Sequence, residues 1–200
     1  MKTIFQEAYK KSMSYTEYLN LIDEKIAQQA STGNEQSELL TDFTKLNRAR
    51  MKRLDKTQEL LPEIVEAVKN IKTQQIWLVL TESWCGDAAQ HLPVFHKMAN
   101  LQEKIDLRLV LRDDNDELMQ KYLTNGGKSI PKLIAISSDF ETELFNWGPR
   151  PAEAQVEVRR LLEEEGGFND RVKEGIQIWY NNDKGMSLQN EWLNILNKLG

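Results

Sequence analysis

Ile76-Trp77-Leu78-Val79-Leu80-Thr81-Glu82-Ser83-Trp84-Cys85-Gly86-Asp87-Ala88-Ala89-Gln90 is the stretch on which the fold turns. Its first five residues form an apolar run with the length and composition of a buried strand. A short polar link follows, and from Gly86 the pattern becomes that of a helix running to about Ala99. Pro93 interrupts that helix, removing one backbone donor and predicting a kink. Cys85, the only cysteine of the chain, therefore stands where a strand gives way to a helix N-terminus. Free backbone N–H groups and the helix dipole at such a point favour an anion such as a thiolate.

Downstream, strand and helix keep alternating. Leu107 to Leu111 reads as a second strand, and the order strand, helix, strand implies a parallel crossover. The acidic run Arg112-Asp113-Asp114-Asn115-Asp116-Glu117 lacks the glycine and the alternating ligand positions of a calcium loop. Asp114 is instead expected to cap a helix, with Glu117 three residues on, and that helix to end at Asn125-Gly126-Gly127. Ser129-Ile130-Pro131 precedes a strand over 132–136, and a hairpin-like Ser137-Ser138-Asp139 leads to another over 143–147. Gly148-Pro149-Arg150-Pro151 is a rigid connection into a helix that reaches about Glu165. Residues 168–200 read as one or two amphipathic helices carrying Trp179, Tyr180, Trp192, Leu193 and Leu196.

Upstream, residues 1–72 read as helical. Ser14 and Glu17 have the spacing of a capping box, and Tyr15, Tyr18, Leu19, Ile22 and Ile26 recur with helical period. Ser31-Thr32-Gly33-Asn34 has turn chemistry. A second helix is expected to bury Leu39, Leu40, Phe43, Leu46 and Leu54, leaving Lys45, Arg48, Arg50, Lys52, Arg53 and Lys56 as a solvated basic face. Pro62 suits the first turn of a third helix, with Ile64, Val65, Val68 and Ile71 inward.

A net charge of −5 over 200 residues and a pI near 5.3 argue against general affinity for nucleic acid or anionic membrane. No apolar run is long enough to span a bilayer, and the first residues lack a signal peptide's apolar stretch. One cysteine makes no internal disulfide, so a cytoplasmic location is expected. His91 and His96 lie five apart, off the i, i+4 spacing of paired ligands, so no metal is expected. A Cys85–His91 acyl-transfer pair is disfavoured because His91 is expected to point along the helix, away from its N-terminus. Nothing matches a phosphate loop or a dinucleotide fingerprint, and no cofactor is expected.

From about residue 73 to 165 the chain resembles a thioredoxin-fold protein. The features that carry the resemblance are Trp84-Cys85-Gly86 after a strand, Pro93 eight residues beyond the cysteine, Ile130-Pro131 before the next-to-last strand, and Gly148 after the last. The segment Glu82 to Gln90 is also similar to a bacterial branch of thioredoxin-like proteins. The resemblance implies an α/β thioredoxin-like fold with a central mixed sheet flanked by helices, over residues 73–165. A helical extension over 1–72 is expected to pack on that core, and a helical tail occupies 166–200. It implies Cys85 as the attacking cysteine, and Trp84, Gly86, Asp87, Ile130 and Pro131 as the substrate-docking residues, with Ile130-Pro131 forming a cis-proline loop.

Three departures bear on the chemistry. Ala88 stands where the family has its resolving cysteine, so a mixed disulfide formed at Cys85 would await an outside thiol. Asp87 replaces the motif's usual proline and, beside Cys85, raises the thiol pKa. Val79 takes the strand position of a buried acid used for proton transfer. The sequence-level expectation is a monothiol protein that forms mixed disulfides with a protein or a low-molecular-weight thiol. Its rival is a redox-inactive binding module that uses the groove beside Pro131. The sequence does not set the oligomeric state.

Overall fold

The structure is a computed structural model and describes residues 1–198. Strands β1 (Gln75–Thr81), β2 (Ile105–Leu111), β3 (Lys132–Ser137) and β4 (Glu143–Trp147) form one sheet in the order β2-β1-β3-β4. β1 runs parallel to β2, with Trp77 opposite Leu107, and antiparallel to β3, with Trp77 opposite Ala135. β3 and β4 close an antiparallel pair. Every residue of β1 is buried, which is why the central strand reads as an unbroken apolar run.

Helices α1 (Lys2–Lys10), α2 (Tyr15–Ala27), α3 (Glu38–Thr57) and α4 (Pro62–Lys69) precede the sheet. The helix α5 (Gly86–Ala99) crosses from β1 to β2 and runs unbroken through Pro93. The short α6 (Asp116–Met119) lies between β2 and β3, and α7 (Ala152–Glu165), α8 (Asp170–Asp183) and α9 (Met186–Leu196) follow the sheet. The tail is thus two helices. No helix among the described residues is long and apolar enough to cross a membrane.

The capping box forms: Glu17 N–H donates to Ser14 Oγ at 3.2 Å, and Ser14 N–H donates to the Glu17 carboxylate at 2.7 Å. One hydrophobic core joins the sheet to both ends of the chain, from Phe5, Tyr18 and Ile22 to Leu188 and Trp192. In its aromatic centre Trp77 of β1 meets Trp192 of α9 edge-on, ring centroids 4.9 Å apart, and Phe95 of α5 lies 5.0 Å from Trp192. A smaller cluster, including Val158, Leu161, Val172 and Ile176, zips α7 to α8. Gly175 permits their close approach, since a Cβ there would sit 2.9 Å from Leu161 Cδ1.

Two expectations fail. α3 does not bury its leucines: Thr41, Thr44, Asn47 and Met51 face inward, while Leu39 is 56% and Leu46 52% exposed. The helix packs over a loop whose backbone needs polar partners, and this turns its apolar stripe outward. The helix expected from Asp114 to about Asn125 is only α6, and Asn115 precedes it without a side-chain cap. Asn115 Nδ2 instead donates back to Leu111 O at 2.8 Å. Thr124 and Gly127 exchange backbone hydrogen bonds in a separate tight turn.

Candidate functional site at Cys85

The residues before Cys85 are fixed by the N-terminal helices. Ser83 is buried, and its N–H donates to Thr32 Oγ1 at 2.7 Å while Thr32 N–H donates to Ser83 Oγ at 3.0 Å. Thr44 Oγ1 lies 2.9 Å from the same Ser83 Oγ, and Asn47 Nδ2 donates to Ser83 O at 2.9 Å. Glu82 is fully buried; its Oε1 accepts from Asp113 N–H at 3.0 Å, and its Oε2 has no partner among the described residues. Burial raises the Glu82 carboxyl above the usual glutamate range.

The residues after Cys85 are fixed from the other end of the chain. Asp87, in the first turn of α5, pairs with Arg150 Nη2 at 2.6 Å and accepts from Tyr180 Oη–H at 2.8 Å. Tyr180 Oη in turn lies 3.2 Å from His91 Nε2. Burial, then the Asp87 carboxylate, pushes the Tyr180 phenol far up. Burial and the nearby Arg150 hold His91 down to about 3, so its imidazole is neutral at physiological pH. His91 therefore does not point away from the helix start as expected. It stands one turn on from Asp87, joined to it through Tyr180.

Between these flanks Cys85 is the residue at the N-terminal boundary of α5, 8% exposed. Its thiol donates to Ile130 O at 3.2 Å. The Ile130–Pro131 peptide is cis, as is Gly148–Pro149. Gly148 has φ +119°, and a Cβ there would fall 2.2 Å from Pro131 O, so only glycine lets the strand end pass the proline loop. Burial, then the Asp87 carboxylate, pushes the Cys85 thiol up to about 12. Arg150 and the helix-start N–H groups act in the other direction and lose.

Above Cys85 lies a cavity of about 870 Å³. Trp84, Cys85, Gly86, Asp87 and Ile130 line it, so five of the six predicted site residues come together there; Pro131, behind Ile130, is not among the lining residues. Arg112 lies over the Trp84 ring, 4.9 Å from its centroid, and pairs with Asp113 at 2.8 Å. The opposite wall was not anticipated: it is the outward stripe of α3, with Leu39, Phe43 and Leu46, together with Phe168 and Ile176 from the tail. No group of three or more metal-ligating side chains occurs among the described residues.

Comparison with known proteins bears on this arrangement. A protein-family model described as "Thioredoxin" matches residues 33–164. No curated protein sequence matches the chain. A crystal structure of a protein of unknown function from Pseudomonas aeruginosa superposes with a TM-score of 0.54 at 15% identity, covering 91% of this chain and 98% of its own. An HIV epitope-scaffold superposes with a TM-score of 0.57 at 16% identity, covering 93% of this chain and 99% of its own. At these identities the two structures speak to the fold alone.

Proposed function

The chain belongs to the thioredoxin family, and we propose that it serves there as a binding protein, holding a ligand non-covalently in the cavity over Cys85. The observation that carries this reading is the state of the thiol. Cys85 is buried, donates its proton to Ile130 O, and titrates near 12. A thiol raised that far stays protonated at pH 7, where an ordinary cysteine is ionised to about a few per cent. Ala88 supplies no resolving sulfur. The extra helices replace an open groove with a walled cavity, and that cavity has the size of a small-molecule site, about 300–1,000 Å³. A cytoplasmic location belongs to the same proposal.

The monothiol reading keeps one observation in its favour: Cys85 lines the cavity beside Trp84. In that reaction the Cys85 thiolate attacks one sulfur of a disulfide, the S–S bond breaks, and the other sulfur leaves as a thiolate. Incubating the folded protein with oxidised glutathione at pH 7.5 and measuring its intact mass separates the two. The binding reading expects no adduct until the protein is unfolded. A stoichiometric glutathione adduct on the folded chain, absent in Cys85→Ser, would return Cys85 to the role of nucleophile.

A further inference from the structure

The cavity over Cys85 is lined by large apolar side chains and by charged groups of both signs, its carboxylates being Asp87, Asp170 and the exposed Glu174, which has no cation partner among the described residues. Five cations line it: Arg50, Arg112, Lys128, Arg150 and Lys173. Four of them already hold a carboxylate: Arg112 that of Asp113, Lys128 that of Asp116, Arg150 that of Asp87, and Lys173 that of Asp170. Arg50 has no carboxylate partner among the described residues; its Nη1 donates to Asn47 Oδ1 at 2.5 Å. It is half-buried, and burial and the nearby Arg53 depress its pKa. A guanidinium nevertheless remains charged. The acid whose charge acts on it is Asp87, which is taken up by Arg150 and Tyr180.

Arg50 lines the cavity next to the start of α5. Its Nη1 lies 3.8 Å from the point a Cβ on Gly86 would occupy, at the start of α5. The bond to Asn47 engages Nη1 and leaves Nε and Nη2, the edge with which arginine grips a carboxylate in two parallel hydrogen bonds. The lining also carries Leu39, Phe43 and Leu46, on the same face of α3 as Arg50, and Phe168, with Leu39, Leu46 and Phe168 more than half exposed. Large apolar side chains left open on a concave wall mark a binding surface.

We propose that the cavity takes a small apolar carboxylate, its head group on Arg50 and its apolar body along Leu39, Phe43, Leu46 and Phe168. With one guanidinium free of a carboxylate and the Glu174 carboxylate also on the lining, a single negative charge is favoured over a phosphate dianion. The inference rests on the reading of the cavity as a non-covalent site and names its ligand class.

Calorimetric titration with octanoate and with octanol tests it, because the two share an apolar body and differ in the charge. Octanoate is expected to bind the wild-type chain about tenfold or more tightly than octanol, as a charge-assisted pair at Arg50 requires. Arg50→Gln should weaken octanoate by about the same factor and leave octanol unchanged. Leu46→Glu, at an exposed position that folding does not need, should weaken octanoate more than octanol by setting a like charge against the carboxylate. Equal affinity for the two probes, binding of neither, or octanoate affinity indifferent to both substitutions would overturn the proposal. A glutathione adduct on Cys85 would instead overturn the proposed function and leave the head-group preference standing.

Discussion

Upstream of Cys85, Glu82 and Ser83 are held by hydroxyls and amides that come chiefly from the α2–α3 turn and α3; downstream, Asp87 is held by a guanidinium and a phenol that come from after the sheet. Both flanks are buried, yet they tolerate loss differently. On the neutral side Ser83 has several small partners, so removing one leaves a single unpaired donor or acceptor. On the charged side removing the cation leaves a buried carboxylate beside a thiol. The two ends of the chain thus close on one window of six residues, 82–87. The shut thiol is a consequence of that closure.

The largest effect is expected on the charged side. Breaking a buried ion pair from one side costs about 3–5 kcal/mol. The Arg150 side chain is 23% exposed and Tyr180 would still serve Asp87, so Arg150→Met should lose about 2–3 kcal/mol in urea unfolding. Adding Asp87→Asn to Arg150→Met should recover most of the loss. If the single variant is as stable as wild type, the downstream flank is not held by charge.

Next comes the neutral side. Ser83→Ala strips the acceptor from Thr32 N–H, which is buried, and should cost about 1–2 kcal/mol. Hydrogen exchange at Thr32 should quicken before that of the sheet. A stability unchanged within error would mean the N-terminal turn rests against the site without bracing it.

The smallest effect carries a sign. The Glu82 carboxyl is raised in the folded state, so the fold binds its proton more tightly than the unfolded chain does. Its contribution is full below the unfolded glutamate value of about 4.3 and is lost as pH rises through the folded value. Asp113 and Arg112 face it. Glu82→Gln keeps the acceptor for Asp113 N–H and removes the titration. The variant should therefore gain on wild type as pH rises from about 5 to 8, with little difference near pH 4. A gap that closes with rising pH would show that Glu82 is stabilised as an anion.

Sequence patterning was most informative where the chain is local and repetitive. β1 announces itself as an apolar run because both its faces are covered, and the Ser14–Glu17 box because its partners lie three residues apart. The placing of Cys85 at the start of α5 follows from the same local logic. The partners of the site were hidden because they are distant in the chain. Arg150 lies 63 residues beyond Asp87 and Tyr180 93 beyond it, and no periodicity links them. α3 was misoriented because its two faces compete. Thr41, Thr44, Asn47 and Met51 form a stripe at three- and four-residue spacing as regular as that of the leucines. A stripe of small hydroxyls and an amide suits packing against exposed loop backbone, and that was the readable signal.

The most direct test of the account is the rate of Cys85 alkylation by iodoacetamide against pH in the folded protein. A thiol shut by burial and by Asp87 predicts slow reaction with no inflection up to about pH 9, and an ordinary rate only after unfolding. An inflection below about pH 7 would mean that the helix start and Arg150 outweigh burial and Asp87, and would contradict the account.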